Sequence, residues 1–212
     1  MVSKITANSG ATVADVPAGG GYLQNYLPSD LGYLRYEPCS SFSDSEPLRH
    51  HEITELTPLP WADGVVDVLV SLAGLHHTRE KSAVFSEFYR VVRSGGEIII
   101  SDVSESSPVA RFLDEFVGKF NSTGHAGIYL NQETPLELEA SGWTILSCQQ
   151  NDFDWHFEST ECLSDFCRQL FDIRNISDYR LKEEIKKYVG FEVSRDQSVK
   201  MRWSLMTIHG KK

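Results

Sequence analysis

The spacing of apolar positions changes along the chain, and each change marks an element. Ala11-Thr-Val-Ala-Asp-Val16 is a short apolar run that stops at Pro17-Ala-Gly-Gly-Gly21, and a helix-compatible stretch follows from Tyr22 to Leu27. Leu31-Gly-Tyr-Leu-Arg-Tyr36 predicts a second strand ending on Glu37-Pro38, and Leu48 to Thr54 a weaker third one ending on Glu55. Val65-Val-Asp-Val-Leu-Val-Ser-Leu72 is nearly continuous, as expected of a central parallel strand covered on both faces. Between Glu80 and Arg93 the apolar residues Val84, Phe85, Phe88, Val91 and Val92 recur at helical spacing, and Gly95-Gly96 is expected to close that helix with a left-handed residue. Glu97-Ile-Ile-Ile-Ser-Asp102 predicts the next strand. Strands and helices alternating through short connections imply right-handed crossovers and a parallel sheet with helices on both faces.

After about residue 103 the pattern changes. Ser107-Pro108 is a helix start, and Val109, Phe112, Leu113, Phe116, Val117 and Phe120 form one apolar stripe behind it. A turn at 121–127 leads to a helix near Gln132 to Ala140 and a strand at Trp143 to Cys148. Ser159 or Thr160 can cap a helix carrying Leu163, Phe166, Leu170 and Phe171, and Ser177 one carrying Leu181, Ile185, Tyr188 and Val189 that ends at Gly190. Val199, Met201, Trp203 and Leu205 alternate with polar residues, the period of a half-exposed, antiparallel final strand. One domain over 1–212 is expected, with a core at 11–103, a substrate-facing helical cover at 104–198 and the last strand at 199–209.

At 212 residues and 41% hydrophobic, the chain is long enough to bury roughly 70% of the surface its unfolded form exposes. Twenty Lys+Arg against 30 Asp+Glu give a formal charge of -10, which repels phosphate backbones and anionic membranes, so neither nucleic acid nor membrane is expected as a partner. The first 14 residues lack the layout of a signal peptide and no 18-residue apolar span occurs, so a cytoplasmic protein, monomer or homodimer, is expected. Cys39, Cys148, Cys162 and Cys167 form no Cys-x-x-Cys pair and read as reduced thiols.

The chemistry begins at the turn Asp15-Val-Pro-Ala-Gly-Gly-Gly21, with Glu37 22 positions beyond Asp15 at the end of the second strand. Glycines there let backbone approach a ligand, and an acid at the second strand's end can accept both hydrogen bonds of a ribose diol. The segments Leu59-Pro-Trp-Ala-Asp-Gly-Val-Val-Asp-Val-Leu-Val-Ser-Leu-Ala-Gly-Leu-His-His77 and Phe88-Tyr-Arg-Val-Val-Arg-Ser-Gly-Gly-Glu-Ile-Ile-Ile-Ser-Asp102 follow. Together they closely resemble class I S-adenosylmethionine-dependent methyltransferases of the UbiE and BioC type, over about residues 11 to 103.

The resemblance implies a Rossmann-like α/β fold with seven strands, mostly parallel, with an antiparallel last strand and a helical cover inserted in the C-terminal half. It implies S-adenosylmethionine as cofactor and methyl transfer to an O, N or C nucleophile of a small molecule. By position, Asp15, Ala18, Gly19 and Gly21 would lie beneath the methionine part of the cofactor, Glu37 with Pro38 at the ribose, Glu55 and Leu56 at the adenine, and Ser71 and Leu72 beside the sulfonium. Pro17 stands where the family usually has its first glycine, which fixes φ near -65° and removes an N–H. A non-catalytic relative that binds the cofactor or a partner is the alternative. A dehydrogenase is disfavoured, since the full Gly-x-Gly-x-x-Gly spacing is absent.

A displacement at a methyl group chiefly needs alignment and exclusion of water, and an oxygen nucleophile benefits from a base. His76 and His77, just past the fourth predicted strand, are the candidates; His125 and Asp102 are further ones. Adjacent histidines rarely share one ion, so no metal is assigned to His50-His51 or His76-His77. Eight of 11 Phe and three of 4 Trp fall after residue 103, and Trp155 and Phe157, with His125, are the candidate substrate-pocket residues.

Overall fold

The computed structural model describes residues 5, 8–39 and 56–212. The predicted third strand at Leu48 to Thr54, Glu55 and the His50-His51 pair lie outside the described residues. Seven strands are present among them: β1 (Thr12–Asp15), β2 (Gly32–Arg35), β3 (Val66–Leu72), β4 (Val92–Asp102), β5 (Thr144–Phe157), β6 (Phe191–Val193) and β7 (Val199–Lys211). Their hydrogen-bonded order is β2-β1-β3-β4-β7-β5, with β6 on β7. The pairs β1/β2, β1/β3 and β3/β4 are parallel, whereas β4/β7 and β6/β7 are antiparallel. The Rossmann-like α/β fold inferred from the sequence is the one observed, with those parallel pairs confined to β1–β4, and with β6, which the sequence did not predict, antiparallel to β7.

Two compact units divide the chain: residues 1–102, 128–149 and 206–212 form one, and 103–127 with 150–205 the other. The division departs from the expected 11–103 and 104–198 split by grouping 128–149 with the first segment. In the first unit, β1, β3 and β4 bury both faces. One face carries Ala14, Leu69, Ile98 and Ile100 against Val84, Phe85 and Phe88 of helix α1 (Lys81–Val91). The other carries Val13, Val68, Val70 and Ile99 beneath Leu23 of a five-residue 3-10 turn, Tyr22–Tyr26, where the sequence predicted a short helix.

Gly95 and Gly96 do not close α1, as had been expected. The helix ends at Val91, and Val92 turns extended, with φ -76° and ψ 137°. The β-branched Val92 suits that conformation and opens β4 at once. Gly95 and Gly96 lie inside β4, where the register shifts between the Val66–Val92 and Val68–Glu97 pairs. A Cβ at Gly96 would stand 2.7 Å from the Asp67 carbonyl oxygen, so the bulge needs a glycine. Lys212 Nζ instead donates to the Tyr89 and Val92 carbonyls at 2.6 and 2.8 Å, satisfying acceptors at the helix end.

In the second unit, helix α2 covers 108–120, α-helical at its two ends with a π-helical stretch, Phe112–Val117, between them. Ser107 Oγ caps it by accepting from Ala110 N at 3.1 Å. Helix α3 (Thr134–Ala140) belongs to the first unit, and α4 (Thr160–Leu170) and α5 (Asp178–Tyr188) to the second. Ser159, not Thr160, caps α4, and Ser177 caps α5. The strand predicted at 143–148 is longer, running to Phe157.

Candidate active site at the carboxyl edge

Because β1 to β4 are parallel, their carboxyl ends share one edge, the place where open α/β sheets bind ligands. Asp15 ends β1, Glu37 follows β2, Ser71 and Leu72 end β3, and Asp102 ends β4. A hollow of about 370 Å³ at the opposite edge is lined by Gly10, Asp67, Arg93 and Glu97, away from these groups. Arg93 and Asp67 form an ion pair in its wall.

Asp15 is 3% exposed and accepts from Tyr33 Oη at 2.7 Å. Burial pushes its carboxyl up to about 6; the Tyr33 bond opposes this and the nearby Glu37 charge adds to it. Tyr33 in turn is held well above the ordinary tyrosine range, first by burial and then by that carboxyl. Tyr33 is a site residue the sequence reading missed. Its signal was two-residue alternation on β2, whose Tyr33 pairs in register with Val13.

Glu37 closes over the glycine turn. Its Oε2 accepts from Gly19 N at 2.7 Å and its Oε1 from Cys39 N at 2.8 Å. Each carboxylate oxygen has two lone pairs, so both can still take a ligand hydroxyl. Gly19 and Gly21 have φ of 51° and 72°, the left-handed conformation that favours glycine. Ala18 is buried and donates its N–H to Tyr36 O at 2.9 Å, and Pro38 follows Glu37 directly. The Pro17 ring packs on Gly74, where a Cβ would come within 2.3 Å of Pro17 Cγ. Leu56 is buried in the core beside α1, whereas Leu72 is 42% exposed.

Ser71 is 1% exposed, and its Oγ is the single buried side-chain polar atom among the described residues that lacks a hydrogen-bond partner. Such an orphan hydroxyl calls for an explanation, and a ligand atom is one. A ribose-competent carboxylate, an open glycine turn and an orphan hydroxyl at the end of β3 together fit S-adenosylmethionine.

His76 and His77 sit in a 3-10 turn, Leu75–His77, just after β3; His76 is buried and His77 exposed. His76 Nδ1 lies 2.7 Å from Asp102 Oδ1, and its backbone N donates to Asp102 Oδ2 at 3.1 Å. Lys81, 5% exposed, is a second residue the sequence reading passed over, although it shares the apolar stripe of Val84, Phe85 and Phe88. A lysine on a buried stripe is the signal that could have found it. Burial lowers its pKa, against the attraction of Asp102 and Glu137.

The remaining candidates belong to the second unit. His125 Nδ1 lies 3.0 Å from Asp114 Oδ1, which also accepts from Gly127 N at 3.0 Å. Trp155 stacks on Trp203, ring centres 4.5 Å apart at 19°, and meets Phe166 edge-on; Phe157 packs against the same Phe166.

Residues 15–100 match the family model described as a methyltransferase domain. That segment is similar to a methyltransferase domain. The chain is 34% identical over 114 residues to an arsenite methyltransferase of Halobacterium salinarum, covering 53% of this chain and 27% of that protein. Over 158 residues it is 27% identical to a glycine/sarcosine/dimethylglycine N-methyltransferase of Actinopolyspora halophila, covering 66% of this chain and 27% of that protein. The chain therefore spans about a quarter of the length of these two relatives. In architecture the chain resembles the YcgJ protein of Bacillus subtilis, with a TM-score of 0.56 at 14% identity over 100% of this chain and 96% of that one. No helix among the described residues is long and apolar enough to cross a membrane.

Proposed function

We propose that this chain transfers the methyl group of S-adenosylmethionine to a nucleophilic atom of a small molecule, in the cytoplasm, with the residues named above. The observation that carries the reading is the meeting of Asp15, Glu37 and the orphan Ser71 hydroxyl on one sheet edge, inside the segment that matches the methyltransferase model. Glu37 would hold the ribose hydroxyls, with Pro38 behind it. Asp15, Ala18, Gly19 and Gly21 would lie along the methionine part, Glu55 and Leu56 at the adenine, and Ser71 and Leu72 near the sulfur.

Bound there, the cofactor supplies an electrophilic methyl group on a sulfonium. Among this chain's residues, His76 would accept the proton that the nucleophile loses, with His77 beside it. His125, Trp155 and Phe157 would serve the substrate. The two relatives described above are named for methyl transfer to arsenite and to glycine, sarcosine and dimethylglycine, which supports a small acceptor as the fitting class.

Calorimetric titration with S-adenosylmethionine and S-adenosylhomocysteine tests the reading. Binding is expected, and Glu37→Ala should weaken it by about 1–3 kcal/mol, roughly 5- to 160-fold, through the lost charge-assisted hydrogen bonds. Folded protein that binds neither compound would exclude methyl transfer, and unchanged affinity in Glu37→Ala would remove the ribose assignment.

A further inference from the structure

His76 follows β3 by a few residues, a place where an exposed turn is common, yet it is only 7% exposed. Three elements hold its turn. From β4, Asp102, itself 1% exposed, accepts from the backbone N of His76 through Oδ2 and places Oδ1 2.7 Å from the ring Nδ1. From α1, Lys81 Nζ donates to the Thr78 carbonyl at 2.9 Å and also to the Ile128 carbonyl. From the segment before α3, Ile128 N donates to the His76 carbonyl at 2.8 Å. The rings of His77 and Tyr129 lie 4.1 and 5.9 Å from the imidazole.

The arrangement decides which ring nitrogen carries the proton. A backbone N–H can only donate, so Asp102 Oδ2 must accept from it. An ionised carboxylate has no proton to offer, so Oδ1 at 2.7 Å from Nδ1 must accept as well. A neutral His76 is therefore protonated on Nδ1 and carries its basic lone pair on Nε2. We propose that Asp102 is the positioning residue of this site: it locks His76 in that tautomer, so that Nε2 is the atom that takes the methyl acceptor's proton. Lys81, by fastening Thr78 to Ile128, fixes the turn in which the lock is made.

The inference rests on the proton-acceptor reading of His76 given above. In the step it serves, the acceptor's proton passes to Nε2 and its electron pair bonds the methyl carbon. The pair of the broken carbon–sulfur bond stays on sulfur, leaving S-adenosylhomocysteine and an imidazolium that Asp102 stabilises.

Asp102→Asn discriminates sharply, because an amide has one acceptor where the carboxylate has two. If the Asn oxygen keeps the backbone N–H, its NH2 faces Nδ1 and forces the proton to Nε2; the reverse orientation opposes two donors. The test is nitrogen NMR of the full chain labelled at histidine, with His76 assigned by loss of its signals in His76→Gln. The Nδ1–H tautomer is expected in the wild type and the Nε2–H tautomer in Asp102→Asn. With sarcosine as probe acceptor, kcat should fall about 10²-fold in Asp102→Asn with KM for S-adenosylmethionine unchanged.

A wild-type His76 that is protonated on Nε2, or on both nitrogens at neutral pH, overturns the proposal without any variant. So does an unchanged tautomer in folded Asp102→Asn. A kcat lowered by His76→Gln but not by Asp102→Asn removes the role of Asp102 alone. The expected tautomers with kcat unmoved by either substitution instead overturn the proton-acceptor reading of His76.

Discussion

Asp15 shows how one buried carboxyl ties stability to pH. Its folded value of about 6 lies above the 3.8 of an unfolded chain, so the folded state holds the proton more tightly. The carboxyl therefore favours folding below pH 3.8, and that contribution is lost as pH rises through about 6. At neutral pH the ligand-free protein keeps a desolvated carboxylate that accepts a hydrogen bond from Tyr33 Oη. Asp15→Asn should raise the stability of the ligand-free protein relative to wild type at neutral pH by roughly 2–3 kcal/mol more than it does below pH 3.8. Urea midpoints at the two pH values check this; an equal difference at both would show that Asp15 titrates normally.

Between elements, the departure at Pro17 has a structural counterpart. The loop after β1 places the proline ring against the loop after β3, and Gly74 leaves the room: a Cβ there would meet Pro17 Cγ at 2.3 Å and Cδ at 3.0 Å. Gly74 has φ -137°, open to any residue, so the close approach and not backbone conformation requires glycine. Gly74→Ala alone should destabilise the protein by about 1–3 kcal/mol. Pro17→Gly should be tolerated, and in that background Gly74→Ala should become nearly neutral. A double-mutant cycle by thermal unfolding measures this coupling; additive effects would mean the two loops are held apart by something other than the ring.

Across the molecule, the two units use their apolar residues differently. The first builds aliphatic layers on both faces of β1, β3 and β4. The second builds around rings: Trp203 stacks on Trp155 and on Phe171 at 5.9 Å and meets Phe112 edge-on at 6.2 Å. Trp203→Ala should cost about 3–5 kcal/mol, since no neighbouring chain can refill so large a ring's volume. Hydrogen exchange should show lost protection in 108–120, 160–170 and 178–188. Unchanged exchange there would mean that the stack is peripheral to the unit's stability.

Period and punctuation in the chain were enough to set the strands β1 to β4, α1, the capped α4 and α5, and which face of each is buried, because burial of a stripe is a local property. The glycine turn, Glu37 and the histidine pair were legible for the same reason: backbone freedom and titratable chemistry belong to residue types. Periodicity misjudged Gly95-Gly96, since a bulge is made by the approach of a neighbouring strand, Asp67 against Gly96, and leaves no mark on its own segment. The partners of the buried polar groups were equally hidden. Tyr33 reaches Asp15 through strand register, and Asp102 meets His76 across 26 positions because β3 and β4 run parallel with α1 between them. A pattern states that a side chain leaves water; only the tertiary structure decides which atom replaces the water it loses, and at this site that choice sets which nitrogen of His76 is basic.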